Sequence, residues 1–226
     1  MTVLSDRMED YIKVIYLLEE ETGERVPTSA VAEQMDVSPP SVSSMLSKLE
    51  ERGFVDREEY GGATLTEEGE LVALEILRHH RLLEQFLVEA LDYDWSEVHD
   101  EADRLEHHIS ERFERRLAEV LDNPDVDPHG DPIPDPDLEL PEETEARRLT
   151  DLAPGDRIEV TRIRHRGDEE LAFLADHGIR PGAQLELLEE DPFDMITVAG
   201  ENGEETLPRR VARLVEGEAV PEASTE

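Results

Sequence analysis

Cysteine is absent from this 226-residue chain, which excludes disulfides and thiolate metal sites together. Aromatic residues make up only 4%, so any core must be built from Leu, Val, Ile and Ala. Lysine is nearly missing too: Lys13 and Lys48 are the only two, and almost all positive charge is arginine. No run of about 18 apolar residues occurs, and the N-terminus lacks the basic, apolar and small-residue succession of a signal peptide. The expectation is a soluble, cytoplasmic protein with no membrane partner.

Positive charge is scarce overall, with 22 basic against 59 acidic residues and a formal net charge of −37. Taken alone, that argues against nucleic acid as a partner, because such surfaces are normally basic. The acidic residues are spread along the whole chain, however, and are not gathered into a tail. A strongly hydrated carboxylate surface of this kind keeps a protein soluble in multimolar salt. The charge therefore reads as the mark of a halophilic habitat, not as evidence about partners.

What is present fits two or three modest domains. Tyr11, Ile12, Ile15 and Leu18 recur at helical spacing before the Thr22-Gly23 breaker. A short helix over Ser29–Met35, a turn at Asp36–Ser38 and a helix opened by Pro39-Pro40 follow, with Ser38 as N-cap. Two β-prone pieces flank Tyr60-Gly61-Gly62 as a hairpin, and Thr66 caps a long helix to about Leu91. Asp94-Trp95-Ser96-Glu97 has the form of a capping box opening a further helix. Ile109, Phe113, Leu117 and Val120 then form an amphipathic stripe. Six prolines between Asn123 and Pro141 leave no room for a helix or central strand. Beyond Leu149 the period switches to short strands, at Arg157–Ile163, Gln184–Glu189 and Met195–Val198. The expected class is α+β multidomain: a winged helix-turn-helix (1–66), a helical domain (67–122), a Pro-rich linker (123–148), a small β-barrel (149–216) and a disordered tail (217–226).

Two patterns carry chemistry. In a helix-turn-helix the second helix enters the major groove with its N-terminal residues nearest the bases. Here those are Ser38, Pro39, Pro40, Ser41, Ser43 and Ser44, while Lys48, Arg52 and Arg57 are placed to meet phosphates. The second pattern is His99, Asp103, Glu106 and His107, spaced i, i+4, i+7, i+8, within an arc of roughly 100° on one helix. Imidazole and carboxylate on one face make a ligand set for a first-row divalent metal. His80 and Glu84 repeat the i, i+4 spacing on the preceding helix, and the first helix offers Asp10. Three rivals stay open at this point: a metal-independent winged-helix regulator, a metal-dependent hydrolase, and a winged helix that binds protein. No nucleophile or general-base motif supports the hydrolase, so an enzyme is disfavoured.

The stretches Met8-Glu9-Asp10-Tyr11-Ile12, Arg81-Leu82-Leu83-Glu84-Gln85-Phe86-Leu87 and His99 through His108 closely resemble the DtxR/MntR family of metalloregulators. Pro132-Ile133-Pro134 and the β-rich C-terminus look like its longer, iron-type branch, which ends in an SH3-like (FeoA-like) domain. The resemblance implies a homodimer that binds a near-palindromic double-stranded operator and represses metal-uptake genes when metal is replete. It also implies a primary metal site at Asp10, Asp103, Glu106 and His107, and an ancillary one at His80, Glu84 and His99, with Glu170 near a further ligand position. Iron-type members have methionine and cysteine where this chain has Asp10 and Asp103. That exchange of sulfur for oxygen favours Mn(II), with Fe(II) the alternative. Lys13 stands where the manganese-type branch has a second carboxylate, which argues against a binuclear site of that kind.

Overall fold

The computed structural model describes residues 4–58, 61–141, 145–164 and 168–220. The chain divides into two compact units, one drawn from Met1–His80, Asp103–Arg115 and Pro134–Glu139, the other from Arg81–Ala102, Arg116–Ile133 and Leu140–Glu226.

The first unit opens with α1 (Asp6–Thr22), α2 (Thr28–Gln34), α3 (Pro39–Glu51), β1 (Val55–Glu58) and β2 (Gly62–Leu65). Gly23 ends α1 in the left-handed region at φ 65°, its N–H returning to Glu19 O. Prolines occupy the first turn of α3, where a missing N–H costs nothing. Ser38 stands at the N-cap as expected, but its hydroxyl bonds the Ser41 hydroxyl at 2.8 Å and caps no backbone N–H. The strands pair antiparallel, Val55 opposite Leu65 and Glu58 opposite Gly62, and Val26 adds a bridge to Ala63. At Gly62 a Cβ would lie 2.7 Å from Val26 O, and φ is +87°, so the bridge requires glycine there. Tyr60, expected in the turn, lies outside the described residues. Tyr11, Ile12, Ile15, Val31, Val42, Leu46, Leu49, Val55 and Ala63 form the core.

Helix α4 (Glu67–Leu91) begins where Thr66 Oγ1 accepts the Gly69 N–H at 3.1 Å, the expected cap. Its neighbour departs from expectation. Asp94 Oδ1 accepts both the N–H and the hydroxyl of Ser96, closing a local turn, and α5 starts only at His99 (His99–Leu105). The chain then tightens into a 3-10 turn over Glu106–His108 before α6 (Glu111–Val120). The four site candidates therefore do not share one continuous α-helix. On α6, Leu117 is buried, whereas Phe113 and Val120 are exposed.

Between Asn123 and Pro141 the Pro-rich segment holds neither helix nor named strand, the short strand Arg147–Arg148 at its far end apart, yet part of it is buried. Asp127, His129 and Ile133 are buried, and Val126 bridges Pro132. Gly130, at φ +84°, packs so closely that a Cβ would meet Thr161 O at 1.9 Å. Arg81 donates to Pro132 O and Arg78 to Pro134 O, so the prolines lend acceptors while lacking donors.

The second unit carries β3 (Arg147–Arg148), β4 (Arg157–Ile163), α7 (Asp168–Asp176), β5 (Gln184–Glu190), β6 (Met195–Gly200), β7 (Gly203–Pro208), α8 (Arg209–Ala212) and β8 (Val215–Ala219). The sheet order is β3-β8-β4-β5-β6-β7, every recorded pair antiparallel. Among the described residues no pairing joins β7 to β3, so this SH3-like sheet is open, which corrects the expected small β-barrel. Ile158, Val160, Leu171, Leu174, Leu185, Ile196, Val198 and Val215 make its core. The expected disordered tail is corrected as well. Residues 217–219 belong to β8, held between β3 and β4, while 221–226 lie outside the described residues.

Candidate metal centre and nucleic-acid interface

Helix α1 supplies Glu9, Asp10 and Lys13 to the first unit, and the turn after α5 supplies Glu106 and His107. Asp10 Oδ1 lies 2.9 Å from His107 Nε2, and Glu106 Oε1 lies 3.4 Å from the same nitrogen. Donor atoms of Asp10, Glu106 and His107 all fall within 4.8 Å of one another. One imidazole and two carboxylates form a nitrogen–oxygen set that suits a first-row divalent ion. The His107 ring is held from behind, with Nδ1 2.7 Å from Glu9 Oε2. A carboxylate on the far nitrogen orients a ligating histidine and raises its basicity. Glu9 was not singled out from sequence as a site residue, because a lone carboxylate in so acidic a chain carries no signal.

Lys13 changes the character of this centre. Its ammonium bonds Asp103 Oδ1 at 2.9 Å and the two oxygens of Glu106 at 2.6 and 2.9 Å. His80 Nδ1 adds a 2.6 Å contact to Glu106 Oε2 and lies 3.3 Å from Asp103 Oδ1. Asp103 therefore sits on Lys13 and His80, beside the Asp10–Glu106–His107 group. Burial alone would raise the Glu106 pKa, but the His80 hydrogen bond and the Lys13 charge outweigh it and hold the carboxyl below its ordinary value. Burial would lower Lys13, yet Glu106 and Asp103 push it upward. Burial opposes a charged His107 as well, and the Glu106 charge with the Glu9 hydrogen bond raises it nonetheless. For Asp10 burial prevails, and its pKa rises despite His107 and Lys13.

In the second unit, Glu84, Asp127 and His129 bring donor atoms within 4.8 Å of one another, all three side chains buried. Glu84 Oε1 lies 3.2 Å from His99 Nδ1, joining two of the expected ancillary residues, and Oε2 lies 3.5 Å from His129 Nδ1. His129 Nε2 sits 2.7 Å from the Trp95 carbonyl, which fixes that nitrogen as the donor and turns Nδ1 toward the carboxylates. Burial, with Asp131 and Glu84, pushes Asp127 far above the usual carboxylate range. Burial disfavours the imidazolium of His129, but Glu84 outweighs it and raises that pKa. Sequence reading missed Asp127 and His129. The only signal was a histidine stranded among prolines. Glu170, on α7, joins no metal-capable group among the described residues.

On α3, Ser38, Pro39, Pro40, Ser41, Ser44, Lys48 and Arg52 are exposed, and Ser43 is half-buried. Arg57 is half-buried too. It reaches from β1 to donate to Ser47 Oγ at 2.7 Å and toward Ser43 O at 3.4 Å, bracing the hairpin against the helix. A further brace runs from α1: Glu19 accepts the Thr64 hydroxyl and, at 3.2 Å, the Leu65 N–H.

A family model described as the iron dependent repressor N-terminal DNA binding domain matches residues 3–63. The iron dependent repressor metal binding and dimerisation domain matches 66–135, and the FeoA domain 147–219. The iron-dependent repressor IdeR of Mycobacterium tuberculosis is 38% identical over 234 residues, spanning 97% of this chain and 100% of that protein. The chain belongs to the iron-dependent repressor family. The diphtheria toxin repressor of Corynebacterium efficiens is 36% identical, covering 88% of this chain and 90% of its own. A solved manganese-dependent transcriptional repressor in complex with manganese matches with a TM-score of 0.87 and 39% identity, over 94% of this chain and 100% of that one. As a member of the iron-dependent repressor family the chain is a metal-dependent DNA-binding repressor and not an enzyme, which sets the hydrolase reading aside. Among its described residues no helix is long and apolar enough to cross a membrane.

Proposed function

We propose that this protein is a cytoplasmic, homodimeric repressor, activated by Mn(II) or Fe(II), that binds a near-palindromic operator and silences metal-uptake genes when metal is replete. The observation that carries the reading is the convergence of Asp10, on the first helix of the DNA-binding region, with Glu106 and His107, which lie more than 90 residues along the chain. Asp10, Asp103, Glu106 and His107 would hold the primary ion, and His80, Glu84 and His99 mark the ancillary region, extended by Asp127 and His129. A bound ion supplies two positive charges shared between α1 and the 106–107 turn. The hard oxygen donors at positions 10 and 103 favour Mn(II), with Fe(II) the alternative.

The chain's own residues do the coupling. Asp10 fixes one end of α1 to the metal centre, and Glu19 fixes the other to the hairpin, so ordering the centre limits the freedom of the helix that carries α3 and the wing. Less entropy is then lost on operator binding, and metal and DNA affinity must rise together. Ser38, Pro39, Pro40, Ser41, Ser43 and Ser44 would face the groove, with Lys48 and Arg52 at phosphates. With a net charge of −37, binding would rest on short-range contacts and little on long-range attraction. The domains would be 1–66 for DNA, 67–122 for metal and dimerisation, the packed segment 123–148, and 149–216 for the SH3-like part.

Operator binding measured with and without Mn(II) and Fe(II), for the native chain and for Asp103→Ala and His107→Ala, tests the reading. Both variants should stay folded and dimeric while losing metal-stimulated binding. Binding that ignores a chelator in the native chain would select the metal-independent regulator instead.

A further inference from the structure

A metal ion is not the only cation that fits the carboxylates of the first unit; the chain brings its own. Lys13 is one of two lysines in 226 residues, and its ammonium is buried with all its recorded contacts on Asp103 and Glu106. The Glu106 side chain is 0% exposed, so separating the pair would leave a desolvated charge without its counter-ion. The two oxygens of Glu106 are not equivalent. Oε1 lies toward His107 Nε2, at 3.4 Å, whereas Oε2 is taken at 2.6 Å by His80. Lys13 contacts both.

We propose that Lys13 is a built-in competitor of the activating metal: it neutralises Asp103 and Glu106 in the metal-free protein and so sets the concentration at which a divalent ion takes them. The inference rests on the proposed metal reading of Asp10, Glu106 and His107. An incoming ion must draw Glu106 Oε1, and Asp103 if it joins, away from an ammonium held only about as far as a hydrogen bond. It must also settle beside a positive charge whose side chain is itself buried and held by two carboxylates. Repulsion between a monovalent and a divalent cation at such range lowers affinity by at least about tenfold even with water-like screening. The same contact keeps the carboxylates of the metal-free centre from being driven apart by their mutual repulsion. Lys13 is thus a positioning residue for the metal-free state and an affinity-setting residue for the metal-bound one.

Lys13→Met, which keeps the stem and removes the charge, and Lys13→Arg, which keeps the charge, should be compared with the native chain by Mn(II) titration calorimetry and by thermal unfolding of metal-free protein. The Met variant should bind Mn(II) about tenfold or more tightly and unfold at lower temperature when metal-free, with a larger stabilisation by Mn(II) than the native chain shows. The Arg variant should bind Mn(II) within about threefold of native, well inside the tenfold gap set by the charge. The gain in the Met variant must vanish when His107→Ala is added, which ties it to this centre and not to the Glu84 group. Native or weaker affinity in the Met variant overturns the competitor role. Should the Met variant fail to fold, a Lys13→Gln chain must show the same gain. Absence of any Mn(II) binding sensitive to His107→Ala in the native chain would instead overturn the metal reading itself.

Discussion

Glu9 holds the His107 ring from behind, its Oε2 2.7 Å from His107 Nδ1, so that the ring's other nitrogen is turned onto Asp10 and the candidate metal centre. Ring orientation at a ligating histidine depends on such a partner, and losing it typically lowers metal affinity by about 10–100-fold. Glu9→Ala should therefore weaken Mn(II) binding by roughly that factor while metal-free stability changes little, because Glu9 is only half-buried. Calorimetric titration against the native chain checks this. An unchanged affinity would show that Asp10 and Glu106 orient the ring without help.

The winged helix-turn-helix was legible because each piece has a local cause: a 3.6-residue apolar period in α1, prolines at the start of α3, and Thr66 ahead of α4. His99, Asp103, Glu106 and His107 drew notice by residue type and helical spacing, whereas only the family resemblance joined Asp10, on another helix, to Glu106 and His107. The capping box at Asp94 misled, because Ser96 offers the aspartate a nearer partner than the N–H three residues on. The Pro-rich segment misled for a different reason. Proline removes the backbone donors on which helices and strands depend, so no periodic pattern arises and nothing local announces that Asp127 and His129 are buried. Sheet closure was likewise out of reach, since it depends on which edges pair and not on any strand's own pattern.

Glu114 gives the metal-free protein a pH dependence. Arg78 Nε bonds its carboxylate, and His79 lies 3.7 Å away. The nearby His79 ring, against burial and helped by the Arg78 hydrogen bond and charge, lowers the Glu114 pKa. A depressed folded-state pKa means that the stabilisation is fully present above the unfolded value of about 4.5 and disappears as pH falls through the lower folded value. Glu114→Gln should lower stability at neutral pH by about 1.5–3 kcal/mol, the usual worth of a hydrogen bond to a charged group. The gap between variant and native chain should close progressively below pH about 4. Denaturant unfolding across that range reads both, and a gap that stayed constant with pH would remove the carboxylate from the account.

Glu19 holds the hairpin from α1 through Thr64 and Leu65 and lies far along the helix from Asp10. Glu19→Gln retains an acceptor for one of these donors, whereas Glu19→Ala retains none. Operator affinity should fall in the order native, Gln, Ala, by about 1 kcal/mol or more for Ala. Mn(II) affinity in the absence of DNA should stay close to native, since the centre is untouched. The coupling between metal and operator should shrink in the same order, because the helix no longer carries the constraint into the wing. Equal coupling in all three chains would place the route from metal to DNA elsewhere.

Glu84, Asp127 and His129 predict a second ion per protomer, separate from the centre at His107. The neighbouring Trp95 carbonyl binds His129 Nε2, leaving Nδ1 as the nitrogen a metal would meet, so metal binding must expel a proton from a histidine whose pKa is raised. Mn(II) uptake at this group should therefore strengthen as pH rises toward and through that raised value, and it should release protons, from His129 and from the Asp127 carboxyl whose pKa is raised as well, detectable by titration in buffers of different ionisation enthalpy. His129→Ala should cut the Mn(II) stoichiometry from two to one without weakening the site that His107→Ala abolishes. Asp127→Asn, which keeps the turn's acceptor for the His129 and Asp131 N–H groups, should do the same while sparing the fold. If both variants still bound two ions, the buried trio would be an ion-paired hinge of the Pro-rich segment and not a metal site.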